Sequence, residues 1–246
     1  VHPSDGRFRS AKDRGLVWLS LAITRAIAGL FRLMAIPFVR WEFRGGATIQ
    51  AYDNWVMSAN HRSVFDFPHA IVALRHYGVY ARVMIASEFW RMPAYAWAVR
   101  AIDAIPVYRK TDPRGSFDAA IRALKDGDSV AIMPEGGLHW DPDNPLQLGR
   151  FKTGVSRLAV GSGVPVLAIA LVGGERVWTR PRRFPRMIPF RRRTVLVRVA
   201  DEPLWLYGDD HRANASTLRD VQEELLQQAT RDLQAIDPSY MPDVAA

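Results

Sequence analysis

The residues of this chain best equipped for chemistry are a histidine and an aspartate five positions apart, His61 and Asp66 in the run Ser58-Ala59-Asn60-His61-Arg62-Ser63-Val64-Phe65-Asp66. A neutral imidazole takes a proton from an alcohol when its other nitrogen is held in the right tautomer, and a neighbouring carboxylate can hold it. That spacing does not fit one face of a continuous helix, so it predicts a turn: a strand over Trp55 to Ser58, a loop, then a helix opening near Asp66. Each residue also has a plain structural use. Asp66 ahead of Phe67-Pro68 suits a helix N-cap, and His61 suits a hydrogen-bonded core position.

Three more segments follow in order. Ala101-Ile102-Asp103-Ala104-Ile105-Pro106-Val107-Tyr108-Arg109-Lys110 alternates apolar residues and ends in two cations, which predicts a short strand delivering Arg109 to a rim. Val130-Ala131-Ile132-Met133-Pro134-Glu135-Gly136-Gly137-Leu138-His139-Trp140 is an apolar strand opening into a glycine-rich loop with one acid, where backbone can approach a ligand closely. Gly163-Val164-Pro165-Val166-Leu167-Ala168-Ile169-Ala170-Leu171-Val172-Gly173 reads as a buried strand introduced by proline.

In this order and spacing the segments resemble the glycerolipid acyltransferase family, best known for the lysophosphatidate (1-acyl-glycerol-3-phosphate) acyltransferases. Asn60-His61 with Asp66 is similar to that family's His-x4-Asp block, Ile105 to Arg109 to its second block, Pro134-Glu135-Gly136 to its Pro-Glu-Gly block and Val164-Pro165-Val166 to its fourth. Phe151-Lys152-Thr153-Gly154 looks like its Phe-Lys-x-Gly. The resemblance runs from Arg40 to about Val199. There are two departures: Asp103 stands where the second block usually opens with glycine, and Gly136-Gly137-Leu138-His139 stands where Gly-Thr-Arg-Ser is usual.

The resemblance implies base-assisted acyl transfer to a hydroxyl. His61 would take the alcohol proton while Asp66 orients the ring and stabilises imidazolium. Arg109 would clamp an acceptor phosphate with Lys110 or Lys152 assisting, and Glu135 and Gly136 would belong to the acceptor site, the carboxylate accepting from a glycerol hydroxyl or from Arg109. Backbone amides near Asn60 or in the Glu135-Gly136-Gly137 loop are the expected oxyanion donors, with Asn60 at the substrate. The expected product is phosphatidate, from 1-acyl-glycerol-3-phosphate and an acyl-CoA or acyl carrier protein thioester. That thioester is a co-substrate, and no cofactor is expected. Another lysolipid, glycolipid or alcohol acceptor, and a non-catalytic basic membrane-binding module, are the alternatives.

Composition narrows the classes. With 246 residues, 48% hydrophobic, the chain can bury one sizeable core. The absence of cysteine excludes disulfides, thiolate metal sites and an enzyme-bound cysteinyl thioester, which leaves direct transfer as the simplest route. No His-Glu-x-x-His or comparable cluster occurs, so no metal is expected.

The charge is local. Nine arginines and no acid lie between Arg176 and Arg198, more than the whole net charge of +8, and they are interleaved with Trp178, Phe184, Met187, Ile188 and Phe190. Arginine pairs with phosphate and aromatic rings settle at headgroup level, so an anionic membrane surface is the expected partner. Nucleic acid is the rival for any basic arm; the N-terminus decides for membrane. Gly15 to Val39 is apolar but interrupted by Arg25 and Arg32, which leaves it short of the roughly 18 to 20 apolar residues of a spanning helix. Arg14, Arg25, Arg32 and Arg40 share an arc while Trp18, Leu21, Leu30, Leu33 and Met34 cover much of the rest, the pattern of an amphipathic helix or helical pair lying in the interface. A helix packed on its own domain is the other reading, and both fit a pair whose outer face meets lipid. A peripheral or monotopic place on the cytoplasmic face of the cell membrane is therefore expected, without nucleic acid as a partner.

Strands are predicted over Trp41–Arg44, Val56–Ala59, Tyr80–Ala86, Ala104–Tyr108, Ser129–Met133, Pro165–Val172 and Thr194–Val199. Helices are predicted over Phe67–His76, Glu88–Arg100, Gly115–Lys125, Thr153–Gly161 and Ser216–Ile236. The alternation predicts an α/β fold, a mixed central sheet flanked by helices with its site at strand ends. The expected division is a membrane-interface segment over residues 1–39 and an acyltransferase domain over 40–246.

Overall fold

The computed structural model describes residues 22, 25–26, 28–141, 143–144, 146–179 and 184–240. The N-terminal helical stretch over 28–35 (α1) leads into β1 (Val39–Gly45). Then follow β2 (Val56–Ala59), α2 (Asp66–His76), β3 (Ala81–Ala86), α3 (Pro93–Ala101), β4 (Ile105–Val107), α4 (Pro113–Lys125), β5 (Ser129–Ile132), α5 (Gly154–Ser162), β6 (Val166–Val172), α6 (Gly174–Val177), β7 (Arg193–Val199) and α7 (His211–Ile236). Among the described residues the strands form one seven-stranded sheet in the order β1-β7-β6-β2-β5-β3-β4.

The sheet is mixed, as expected: β6, β2, β5, β3 and β4 are parallel to one another, β7 is antiparallel to β6, and β1 is parallel to β7. Alternation along β6 assigns the faces, because successive side chains of a strand point to opposite sides. Val166, Ala168, Ala170 and Val172 join Leu124 of α4, Leu158 of α5 and Leu218, Leu226 and Leu233 of α7 in one core. Leu167 and Leu171 join Trp55, Met57 and Leu74 in a second core, under α2. The strands of such a three-layer sandwich are buried on both faces, which is why β6 reads as an unbroken apolar run.

Local chemistry sets the helix ends. Asp112 caps α4 by accepting from the Gly115 N–H at 2.8 Å with Pro113 in the first turn, and Asp210 caps α7 by accepting from Arg212 and Ala213. The predicted helix over Glu88–Arg100 is instead two elements, a 3-10 turn (Ser87–Arg91) and α3. Met92 between them is extended, because the ring of the following Pro93 excludes helical backbone there. Asp66 does not take its alternative use as an N-cap: Phe65 occupies that place without a side-chain bond, and the Asp66 carboxylate turns back to the preceding loop.

α1 packs on the domain. Ala28 enters a cluster with Ile71, Val99 and Ile102, and Ala35 enters another with Val39, Phe65 and Val195. Its opposite side leaves Leu30, Leu33 and Met34 about 60% exposed, beside exposed Arg32. Packing and an outward apolar face therefore coexist; Arg14, Trp18 and Leu21 lie outside the described residues. Among the described residues no helix is long and apolar enough to cross a membrane.

Candidate active site

The parallel strands bring the motifs to one edge. β2 ends at Ala59 and delivers His61, β5 delivers Glu135 and Gly136, β6 delivers Gly174, and β4 delivers Arg109. The chain leaves β2 for β3 and β4 on one side and returns through β5 to β6 on the other, so β2 stands at the reversal of strand order, where ligand crevices of open α/β sheets form.

His61 and Asp66 meet as their spacing implied. The imidazole Nδ1 lies 3.1 Å from Asp66 Oδ2, with the histidine partly exposed and the aspartate buried. The same oxygen accepts from the backbone N–H groups of Arg62 and Ser63, both at 2.7 Å. Three donors converge on one oxygen, so the carboxylate holds the loop and orients the ring at once. Burial pushes the Asp66 carboxyl above its usual range, and the bonds from His61, Ser63 and Arg62 oppose the shift. With Nδ1–H given to Asp66, His61 Nε2 keeps its lone pair, the arrangement a general base requires.

Asn60 does not take the substrate-contact role expected of it. It is fully buried, its Nδ2 donates to the Leu171 carbonyl at 2.9 Å and its Oδ1 accepts from the Leu171 N–H at 2.8 Å. The side-chain amide thus stands in for a peptide and prolongs the β2–β6 ladder by one step, fixing where His61 begins.

Glu135 is likewise a brace. Oε1 accepts from the His61 N–H at 2.8 Å and Oε2 from the Gly149 N–H at 3.1 Å, and Arg109 is not among its partners. The His139 N–H donates to the His61 carbonyl at 2.7 Å, so the loop after β5 clamps both backbone polar groups of His61. Burial raises the Glu135 carboxyl, and the His61 and Gly149 N–H groups pull it back. The N–H groups of His61, Arg62 and Ser63 are all committed, which removes them as oxyanion donors. Gly137, with open space above its Cα and no partner on its N–H among the described residues, keeps the glycine-loop option.

Gly136 and Lys152 are neighbours. Gly136 has φ +67, a conformation that favours glycine, and a Cβ there would come within 2.6 Å of Lys152 Nζ and push that flexible end aside. Lys152 and Arg109 are exposed, and neither is paired among the described residues. Arg109 sits in the turn after β4, three strand spacings from β2, or about 14 Å along the edge.

Asp103 explains its own departure. Its φ of +52 is the left-handed conformation for which glycine is best suited, and its carboxylate and carbonyl both engage Arg82. Several site residues escaped sequence reading altogether. The Ser63 hydroxyl donates to the Trp178 carbonyl and accepts from the Phe65 N–H, while Gly174 lies where a Cβ would press on Asp66 Oδ1 at 3.1 Å. These contacts join distant segments, and no local pattern announces them.

The arginine run is partly spent inside the fold. Arg176 pairs with Asp237 at 3.0 Å and Arg198 with Asp232 at 2.6 Å, so those two cations face acids of the same chain. Arg186, Arg191 and Arg192 are exposed; Arg180, Arg182 and Arg183 lie outside the described residues.

In Brassica napus, 1-acyl-sn-glycerol-3-phosphate acyltransferase BAT2, chloroplastic, is 30% identical over 156 residues, 61% of this chain and 43% of that protein. The Arabidopsis thaliana protein LPAT1, chloroplastic, of the same description, is also 30% identical over 61% of this chain and 41% of its own. The chain thus spans less than half the length of these relatives. The fold is shared with the 1-acyl-sn-glycerophosphate (LPA) acyltransferase PlsC from Thermotoga maritima, with a TM-score of 0.69 at 18% identity over 90% of this chain and 83% of that one. A family model described as Acyltransferase matches residues 40–172, more than half of the sequence and all the elements from β1 to β6 that carry His61, Asp66, Arg109 and Glu135, and the chain accordingly belongs to the acyltransferase family.

Proposed function

We propose that this chain transfers a fatty acyl group from a thioester, acyl-CoA or acyl carrier protein, to the free hydroxyl of 1-acyl-glycerol-3-phosphate, forming phosphatidate. The observation that carries the reading is the His61 Nδ1 to Asp66 Oδ2 contact at 3.1 Å, which leaves Nε2 free to act as base at the mouth of the sheet edge. Nε2 takes the hydroxyl proton as the alkoxide oxygen bonds to the thioester carbon. The tetrahedral intermediate collapses, the C–S bond breaks, and the imidazolium returns its proton to the departing thiolate. The buried anion of Asp66 stabilises the imidazolium between these steps. Arg109 and Lys152, unpaired cations on the same edge, are assigned to the acceptor phosphate.

The partner surface in this reading is an anionic bilayer on the cytoplasmic side, where acyl thioesters are presented. Leu30, Leu33, Met34 and Ile36 form an exposed apolar strip after Arg25 and around Arg32. Met92, Tyr95 and Trp97 of the neighbouring α3 segment are exposed as well, beside Arg91 and Arg100, and α1 and α3 share one packed cluster. Aromatic and aliphatic side chains among arginines suit the headgroup boundary.

One residue favours a second acceptor. Leu138 stands where a phosphate-binding arginine is usual in the resembled family, so another lysolipid or alcohol is the alternative. The test is thiol release from acyl-CoA and from acyl carrier protein with a panel of acceptors, including glycerol-3-phosphate, its monoacyl form, other lysophospholipids and a phosphate-free alcohol. Turnover confined to monoacyl-glycerol-3-phosphate and lost in His61→Ala is expected. Turnover with none of the acceptors, or turnover retained in His61→Ala, overturns the proposal.

A further inference from the structure

The His61 loop is held from a second side by residues that lie beyond the segment matched by the family model. Arg62, next to His61, is 1% exposed. Its guanidinium carbon sits 4.5 Å from the ring centroid of Trp140, and its backbone N–H is one of the three donors to Asp66. Its guanidinium also neighbours the hydroxyl of Tyr240, which is 2% exposed and donates to Glu175 Oε1 at 2.7 Å. Glu175 is itself buried and also accepts from the Gly173 N–H.

The C-terminal turn that presents Tyr240 is pinned in place. Arg176 pairs with Asp237 at 3.0 Å, donates to the Ser239 hydroxyl at 3.1 Å, and lies 5.5 Å over the Tyr240 ring. The segment after β6 meets the loop elsewhere as well: the Trp178 carbonyl accepts from the Val64 N–H at 3.0 Å and from the Ser63 hydroxyl, and the Thr179 hydroxyl donates to the Arg62 carbonyl. One phenolic hydroxyl therefore lies between a buried cation and the buried carboxylate it bonds, and the cation belongs to the residue adjoining the base.

We propose that Tyr240 is a positioning residue for acyl transfer: acting through Arg62, with Glu175 as counter-anion, the C-terminal turn fixes the loop that aims His61 at the acceptor hydroxyl. The proposal rests on His61 being the base. A buried charge that loses its partner is forced to find another or to admit water, and either response moves the backbone that carries it. For Arg62 that backbone includes the N–H held by Asp66. Displacement of a reacting group by about 1 Å is worth about a hundredfold in rate, while an acceptor held by cations elsewhere on the edge keeps its affinity. The signature is thus a fall in kcat with little change in KM.

The experiment uses the whole chain in detergent, with thiol release as the assay and circular dichroism as the check on folding. Tyr240→Phe keeps the ring against Arg176 and removes only the hydroxyl; kcat is expected to fall about 5- to 30-fold with acceptor KM within about twofold. Asp237→Asn, which loosens the turn without touching the buried hydroxyl, is expected to act in the same direction and serves if Tyr240→Phe does not fold. The coupling is read from Arg62→Lys, which keeps the charge but not the guanidinium over the Trp140 ring. If Tyr240 acts through Arg62, the double variant loses little more than Arg62→Lys alone. Wild-type kcat in both Tyr240→Phe and Asp237→Asn, a change confined to KM, or losses that multiply in the double variant overturn the proposal. His61→Ala run alongside keeps the outcomes apart, since turnover surviving there removes the base itself, whatever Tyr240 does.

Discussion

Replacing Asp66 by asparagine separates two things the carboxylate does. All three of its donors, His61 Nδ1, the Arg62 N–H and the Ser63 N–H, point at Oδ2, while Oδ1 faces Gly174. An asparagine in this site places its carbonyl oxygen at the Oδ2 position, because its NH2 group there would meet three donors. The histidine tautomer is preserved and only the negative charge is lost. A hydrogen bond to a charged partner is worth roughly 1.5–3 kcal/mol against 0.5–1.5 for a neutral one, so the imidazolium loses about 1–1.5 kcal/mol of direct support and a further share of longer-range attraction. Asp66→Asn is accordingly expected to lower kcat by roughly 10- to 100-fold, less than the roughly 10⁴-fold loss that follows when an amide in the orienting position imposes the wrong tautomer. Stability is expected to move the other way. Burial raises the Asp66 pKa, so the folded state binds that proton more tightly than the unfolded one, and ionisation subtracts from stability as pH rises through the ordinary carboxylate value. Asparagine has no such penalty, and at pH 7 the variant should unfold at the same or a higher urea concentration than wild type. Asp66→Ala should do the opposite, since two buried N–H groups lose their acceptor at about 1–3 kcal/mol each. Thiol-release kinetics and urea melts on the same preparations decide the matter. A folded Asp66→Asn as inactive as His61→Ala, or one as active as wild type, would refute the reasoning.

Glu135→Gln offers one acceptor where two N–H groups, of His61 and Gly149, now point, so kcat should fall about 10- to 100-fold with acceptor KM nearly unchanged; a raised KM at constant kcat would make it an acceptor ligand instead. His69 is fully buried with no hydrogen-bond partner on either ring nitrogen among the described residues, and burial lowers its pKa to about 3, so it stays neutral in the fold while the unfolded chain takes up a proton below pH 6.5. Its contribution is fully present above that value and is lost on acidification, by about 2 kcal/mol between pH 7.5 and 5.0. Urea melts across that range should show His69→Leu with a correspondingly flatter pH dependence than wild type, and equal slopes would contradict it. Asp103→Gly should unfold within about 0.5 kcal/mol of wild type, relief of the positive φ offsetting the lost Arg82 pair, whereas Asp103→Ala should cost about 1–2 kcal/mol; equal melting of the two variants would show that φ is not the constraint.

The strands and most helices were legible in the sequence because their signals are local. Apolar alternation, a proline in a first turn and Asp112 ahead of Pro113 act within a few residues, and β2, β6 and α2 lie where the pattern puts them. The division at Met92 was available too, since the rule that a residue before proline leaves the helical region needs no partner. The motif residues were found, but what some of them touch was not. Glu135 and Asn60 look like ligand-facing polar groups in the chain, yet Glu135 is spent on backbone partners 74 and 14 positions away and Asn60 on one 111 positions away.

By itself the sequence determined which residues carry chemistry, that a turn brings His61 to Asp66, and that strands and helices alternate around an apolar sheet. Residue type and short-range spacing are enough for that, because they fix proton affinity, backbone conformation and side-chain periodicity. Only the tertiary structure decided the strand order that sets Arg109 three strands from the base, the pairing of Arg176 and Arg198 with acids of α7 and the turn that follows it, and the burial of Arg62 against Trp140. Those facts depend on contacts between segments far apart in the chain. Whether a buried polar atom holds the scaffold or meets a substrate is settled by which partner arrives across that distance.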